Sequence, residues 1–380
     1  MFKALFILHG GDSYSGYSHE SYGGYSSNYS APPSSYSSAY SSSQNYSGYS
    51  GYSQEYSYSG NASSGLYNSA KFIVDALTAV GEQAEVAFAS IDTIEQVIGG
   101  SGATHVFIEG LWIPPEILKI IAASQSSRQW HVRVHSEIPF LASENIAMGW
   151  IAQYIRDGIS VVANAGRVHQ QIQWLASQLV DKDSAKKLTP LLPNCYPTEF
   201  LKISLEPNPH VLNIGCFGAF RPLKNHLQQA FLALRYAQYV GKPLRYHINF
   251  KPGQENMADY INVAAIIAAT GQELVLHHWS DRDTFLQVLG EMDLLLQVSM
   301  SETFNIVAAD ATLAGIPILV SDEITWAYPV HGNPHDIDDA LKKLKLIMQS
   351  KTFFIQQNRE GLKRHTKHAL EEWLHYLNSK

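Results

Sequence analysis

From Phe2 to Val320, short apolar runs alternate with stretches whose apolar positions recur every three or four residues. These two periods mark buried strands and sheet-flanking helices. Phe2–Leu8 is the first run, and Leu66, Ala70, Ile73, Val74 and Leu77 then share one face of a helix that ends at Gly81. Further strands are predicted at Ala84–Ala89, His105–Glu109, Trp130–Val134, Ile159–Ala163 and Leu188–Leu192, with helices between them. A second alternation has strands near Val211–Cys216, Leu244–Asn249, Leu274–His277, Leu294–Val298 and Ile318–Val320, and Asp336 to Lys380 reads as helix. Such alternation builds doubly wound parallel sheets, so the predicted class is α/β with two Rossmann-like domains. We place the first domain at 1–192, a proline-containing linker at 193–209, the second domain at 210–350 and terminal helices at 351–380.

One stretch breaks the pattern. From Ser13 to Gly60 the chain is almost entirely Tyr, Ser and Gly, with units such as Tyr46-Ser47-Gly48-Tyr49-Ser50 recurring. Scarcely any aliphatic surface is available there to offset chain entropy, so the segment reads as a mobile insertion between the first strand and the first helix. A spacer, a hydroxyl-rich flap over an acceptor, and a self-association segment all fit that composition.

Composition narrows the function classes. The chain has 380 residues, 45% of them hydrophobic and 16% charged, with a formal net charge of −7, which leaves no basic footprint for a nucleic-acid backbone. Lys342, Lys343 and Lys345 read as a solvated helix face. Cys195 and Cys216 make neither a metal spacing nor a disulfide framework, which fits a reducing, cytoplasmic location. No apolar run approaches the roughly 20 residues of a membrane span, and Phe2–Leu8 is too short for a secretory signal core.

The candidate chemistry concentrates in Leu294 to Glu323. A buried strand there leads through Ser299-Met300-Ser301-Glu302 into a helix carrying Phe304, Val307, Ala308 and Ala311, which ends at Gly315 with Pro317 beyond. The start of such a helix offers unpaired N–H groups to a phosphate. Glu302 and Asp310 frame it, roughly 12 Å apart along the axis; they would grip the two ends of a sugar nucleotide or be a capping acid and an exposed Asp. Gly215-Cys216-Phe217-Gly218-Ala219-Phe220-Arg221-Pro222-Leu223-Lys224-Asn225 lacks the Gly-x-Gly-x-x-Gly spacing, which disfavours a nicotinamide or flavin dehydrogenase. His277-His278 are strand neighbours pointing to opposite faces and make a poor metal pair, while Trp279 would stack on a base or simply pack. His135 and Glu137 follow one first-domain strand and Glu109 ends another; each is either structural or a group for acceptor contact or proton removal.

The pattern Ser299-x-x-Glu302-x-Phe304, an acid eight residues after Glu302, and Ala314-Gly315-x-Pro317 resembles the donor site of retaining glycosyltransferases of the two-domain GT-B architecture, family four above all. Gly218 to Asn225 resembles that family's Gly-Arg-x-x-Pro-x-Lys-Gly loop, and Pro193-Asn194 its crossing between domains. The resemblance implies two domains facing a cleft, the last helix crossing back to the first, and hexose transfer with retention from a nucleotide diphosphate sugar. It gives Glu302 the sugar, Asp310 the ribose and Lys224 the diphosphate, with the amides of Thr303, Phe304 and Asn305 completing the cradle. Trp279 and Ser280 fall where the family reads the base, Gly10 and Gly11 are donor-side candidates, and His135 would touch sugar or acceptor. Glu109 and Glu137 are acceptor-side candidates. No cofactor or metal is implied beyond the sugar nucleotide. This chain departs at Ala219, where the family has arginine and Arg221 is the candidate replacement, at Asn305, where glycine is usual, and at Asp310, normally Glu. Arg133 to Ala142 with Tyr196-Pro197 further resembles glycosyltransferase-like proteins of tailed bacteriophages, which would put the enzyme in an infected cytoplasm with a glycan, a protein or a modified nucleobase as acceptor. A sugar- or nucleotide-binding protein that self-associates, and a GT-B epimerase, are the alternatives.

Overall fold

The computed structural model describes residues 2–10, 65–142, 146–199, 208–250 and 256–379. Gly11 and the Ser13–Gly60 segment lie outside the described residues. Two five-stranded sheets, parallel throughout, organise the chain. The first contains β1 (Lys3–His9), β2 (Gln83–Ala89), β3 (His105–Glu109), β4 (Gln129–Val134) and β5 (Ser160–Ala163), in the order β2-β1-β3-β4-β5. The second contains β6 (Leu212–Gly215), β7 (Leu244–Asn249), β8 (Glu273–His277), β9 (Leu294–Gln297) and β10 (Ile318–Val320), in the order β10-β9-β6-β7-β8. Helices cover both faces, which is why β3, β5, β6 and β9 are buried along their whole length and read as continuous apolar runs. Strand order reverses at β1/β3 in one sheet and at β6/β9 in the other. Ligands of open α/β sheets bind outside the carboxyl ends of the strands at such points.

The helix Gly65–Ala79 buries Ala70, Ile73, Val74 and Leu77 as the periodicity predicts, whereas Leu66, expected on the same face, lies exposed in its first turn. One expected strand is absent. Lys182–Leu188 is a helix capped by Asp181, and Leu191 makes only an isolated bridge to Ala163. Pro190 and Pro193 bracket that bridge and lack the N–H groups a longer ladder needs. β9 also stops one residue early, at Gln297, because the Val298 amide turns to Gln229 Oε1 at 2.8 Å. The C-terminal helical stretch divides into Ile337–Gln349 and Lys351–Asn378.

The 28-residue helix Lys351–Asn378 packs against both halves of the molecule. Phe354 joins the core of the second sheet, whereas Ala369, Trp373, Tyr376 and Leu377 pack with Phe6 and Phe107 on the first. Trp373 is fully buried, its ring meets Phe6 at a tilt and Phe107 edge to face, and its indole N–H donates to the Pro193 carbonyl at 2.9 Å. Burial of a side chain that size stabilises by about 4 kcal/mol. Cys195 and Cys216 are free and buried. Among the described residues no helix is long and apolar enough to cross a membrane.

Candidate functional site

Two loops leave the carboxyl ends of β6 and β9 and are stitched together. The Met300 amide donates to the Leu223 carbonyl at 2.8 Å, and Gln297 Nε2 donates to the Phe217 carbonyl at 2.8 Å. This stitching brings Lys224 to Glu302. The ammonium contacts both carboxylate oxygens, Oε2 at 2.6 Å, and the Glu302 side chain is only 8% exposed. Arg221 is exposed and lies 5.4 Å from the ring of Phe140 in the first domain, so it reaches across the cleft.

Both places where the resembled motifs carry glycine and this chain carries asparagine have positive φ: 62° at Asn225 and 64° at Asn305. They are the two non-glycine residues in that region among those described. Asparagine tolerates the left-handed region better than other side chains, and here each amide also ties the site together. Asn225 Nδ2 donates to the carbonyls of Val298, at 3.1 Å, and Pro334, at 3.0 Å. Asn305 caps the helix Ile306–Ala314, accepting from the Ala308 amide at 2.8 Å, while its Nδ2 donates to Gln297 Oε1 at 2.7 Å and to Glu302 Oε1 at 3.0 Å. The cap is therefore Asn305, not Glu302. Gly315, at φ 79°, ends this helix as predicted.

Asp310 sits differently from the expectation. It is 2% exposed, and the Tyr196 hydroxyl, Arg282 Nε at 3.1 Å and Arg282 Nη2 at 2.7 Å all donate to its Oδ1. Burial raises its carboxyl above the ordinary range, and Arg282 and Tyr196 pull it back only in part. The Arg282 guanidinium lies 5.1 Å from the Phe72 ring, from the helix Gly65–Ala79 of the first domain. A ribose contact at Asp310 requires Arg282 and Tyr196 to release the carboxylate; Arg282, with a side chain 20% exposed, is the more open group of the pair.

Facing these loops, the first domain presents a buried charge cluster. Glu109 accepts from Arg133 Nη1 at 2.7 and 3.0 Å and contacts His135 Nε2 at 2.7 Å. Burial pushes the Glu109 carboxyl up, but Arg133 and His135 outweigh it and hold the group below its usual value. Glu109 is thus covered by its partners rather than open to an acceptor. The His135 carbonyl accepts from Thr303 Oγ1 at 3.0 Å, and Asn164 Nδ2 donates to the same hydroxyl at 3.2 Å, so the two domains touch beside the site helix. Glu137 is 3% exposed, and its Oε2 lacks a hydrogen-bond partner. Burial, then Glu323, raise its carboxyl, with Arg167 opposing. Arg167 pairs with Glu323 Oε1 at 2.9 Å, and Glu323 Oε2 accepts from the Glu302 amide at 3.3 Å, forming a second bridge between the domains.

Phe304 is buried among Tyr196, Trp326 and His365. Trp279 and Ser280 follow β8 at the rim, Trp279 being 43% exposed. His277 stacks on His247, whose ring burial and His277 itself hold to a pKa of about 3. Among the described residues no three His, Cys, Asp or Glu side chains form a metal-binding group. Gly10 follows β1, where a Cβ would come within 2.6 Å of Phe88 Cβ, so only glycine fits. Arg282, Tyr196, Glu323 and Arg133 were not among the site residues expected from sequence. Each is paired over a long sequence separation, and an arginine or tyrosine of that kind leaves no local periodic signal.

In sequence, the chain matches no family model and no curated protein. Solved structures share its fold at low identity. Anabaena HepE, in complex with UDP and glucose, aligns over 100% of both chains at 12% identity with a TM-score of 0.59. Sucrose-phosphate synthase from Thermosynechococcus elongatus aligns over 83% of this chain and 92% of its own at 12% identity and a TM-score of 0.57. A mutant of S. aureus TarM, in complex with fondaparinux, alpha-GlcNAc-glycerol and UDP, aligns over 72% of this chain at 12% identity and a TM-score of 0.51. The chain spans 55% of TarM, about half its length. Two parallel-sheet Rossmann-like domains meeting at the carboxyl ends of their strands thus give this chain a GT-B-like architecture.

Proposed function

We propose that the protein transfers a hexose from a nucleotide diphosphate sugar to an acceptor hydroxyl with retention of configuration. The observation that carries this reading is the Lys224–Glu302–Asn305 arrangement at the β6/β9 switch point, at the start of a buried helix and across a narrow cleft from His135. When the bond from the anomeric carbon to the donor phosphate breaks, its electron pair stays on the departing diphosphate. Lys224 and the helix start stabilise that charge where it develops. Glu302, fixed between Lys224 and Asn305, accepts from sugar hydroxyls; Arg221 closes over the diphosphate in place of the arginine missing at Ala219. Arg282 is the group we assign to the ribose end, with Asp310 holding it. Thr303–His135 and Arg167–Glu323 contacts keep water from the reacting centre.

A glycan, a protein or a modified nucleobase would serve as acceptor. The phage-like run Arg133–Ala142 supports an enzyme working in the cytoplasm of an infected bacterium. The thiols of Cys195 and Cys216, each pushed up to about 12 by burial, are suited to a reducing compartment and unsuited to chemistry. Release of nucleoside diphosphate from a panel of sugar nucleotides tests the reading. One donor should turn over, and Lys224→Met should lower kcat/KM for it by about 100-fold. Failure of every donor, with Lys224→Met binding nucleoside diphosphates as the wild type does, would end it.

A further inference from the structure

The contact between His135 and Glu109 fixes more than an orientation. The Glu109 carboxylate, paired to Arg133, is an acceptor only, so the imidazole nitrogen 2.7 Å from its Oε2 must carry the proton. In neutral imidazole the lone pair is then on Nδ1, which bonds none of the described residues. The ring is 14% exposed. What charge the ring carries follows from its neighbours. A buried carboxylate alone would favour imidazolium, as in a Ser-His-Asp triad. Here the same carboxylate is already neutralised by Arg133, which is fully buried and anchored by Nη2 to Asn194 Oδ1 at 2.9 Å. An imidazolium would be a second cation sharing one anion inside the protein. The charged groups facing the ring are Glu109 from β3 and Arg133 from β4; Thr303, which donates to the His135 carbonyl, and Asn164 behind it are uncharged.

We propose that Arg133 and Glu109 are positioning residues that lock His135 as its neutral Nε2–H tautomer, so that Nδ1 acts as a fixed hydrogen-bond acceptor for a hydroxyl in the cleft and not as a proton carrier. The hydroxyl belongs to the donor sugar or to the acceptor, which share this chemistry. Burial lowers the His135 pKa, Glu109 raises it and Arg133 opposes Glu109, leaving it below the ordinary value. The inference rests on the glycosyl-transfer reading for what the lone pair meets, but the lock itself stands on geometry alone.

Three variants and one spectrum test it. In 15N-histidine-labelled full-length protein, with His135 assigned by difference from His135→Asn, Nδ1 should be unprotonated at neutral pH and take up a proton only below the ordinary imidazole value of about 6.5. Glu109→Leu/Arg133→Met removes both charges together and strands neither; the freed ring should populate both neutral tautomers, while burial still holds its titration below the ordinary imidazole value. That variant should lose about 10-fold to 100-fold in kcat/KM while binding nucleoside diphosphate as the wild type does. His135→Asn, whose amide oxygen falls near the Nδ1 position, should retain much more activity than His135→Ala. A protonated Nδ1 in the wild type at neutral pH, or titration at or above about 6.5, overturns the lock whether or not any sugar nucleotide turns over. Equal loss in His135→Asn and His135→Ala overturns the acceptor role in favour of proton transfer. If no donor turns over, the spectrum still decides the lock, and only the transfer reading fails.

Discussion

Asn305 is the residue on which stability and chemistry can be separated most cleanly. At φ 64° an alanine would meet left-handed strain of about 1–2 kcal/mol. It would also lose the helix cap to Ala308, about 1 kcal/mol, and the donors to Gln297 and Glu302, together about 1–2 kcal/mol in a buried setting. Asn305→Ala should therefore destabilise by about 3–5 kcal/mol. Asn305→Gly removes the strain but brings more entropy to the unfolded chain, so it should be the milder change by about 1 kcal/mol. Asn305→Asp keeps the cap yet sets a second carboxylate against Glu302, so it should hurt donor turnover more than its stability suggests. Urea unfolding ranks the three by midpoint, since Trp326, bonded to the Phe304 carbonyl, reports on the loop by fluorescence. Donor kcat/KM should fall about 10-fold in the glycine variant, from Glu302 losing one of its two holders. An alanine variant at least as stable as the glycine one would refute the backbone argument. Unchanged kcat/KM in both would refute the claim that Asn305 orients Glu302.

Arg282→Met strands the Asp310 carboxylate in the interior and should cost about 3 kcal/mol. Arg282→Met/Asp310→Asn should recover most of that, and a double-mutant cycle by urea melts that shows no coupling would contradict the pairing. Glu137 has a raised pKa in the fold, so the native state holds a proton that the unfolded state has lost. Stability should then fall as pH rises from about 4.5 through the raised value, and Glu137→Gln should remove that fall; parallel pH–midpoint curves for the two proteins would refute it. Trp373→Phe keeps most of the buried surface and loses the bond to Pro193, for about 1 kcal/mol, whereas Trp373→Ala should cost about 3–5 kcal/mol. Thermal melts of the two variants check the order.

Much of the architecture was legible because both sheets are parallel and buried, so strands such as Val106–Ile108 and Leu294–Leu296 announce themselves as apolar runs. Leu188–Leu192 looks the same over five residues, but Pro190 and Pro193 limit it to a bridge, a case where chain chemistry outranks hydropathy. Lys224 and Glu302 were legible because their loops resemble motifs of a known family, and the structure brings the two side chains into contact. Asn305 looked like a lost glycine, and Asn225 drew no notice; the readable clue was that asparagine is the residue best able to replace glycine at positive φ. The surroundings of Asp310 were not legible, because its position on the helix is visible in sequence while its partner Arg282, on a preceding helix, is not. The burial of Glu109 was not legible for the same reason, since Arg133 on the adjacent strand and His135 just past its end hold the carboxylate.

The chain passes between the two halves twice, and the passages are fastened to each other. Pro193, Asn194 and Tyr196 offer their carbonyls to Trp373 at 2.9 Å, His365 at 3.1 Å and Thr366 at 3.1 Å. Two tethers joined at one spot behave as a pivot rather than as a pair of struts. Any swing of one lobe against the other turns about this knot, so displacement grows with distance from it, and it is the Arg221–Phe140 lip, not the Tyr196 neighbourhood, that sets how wide the mouth can gape.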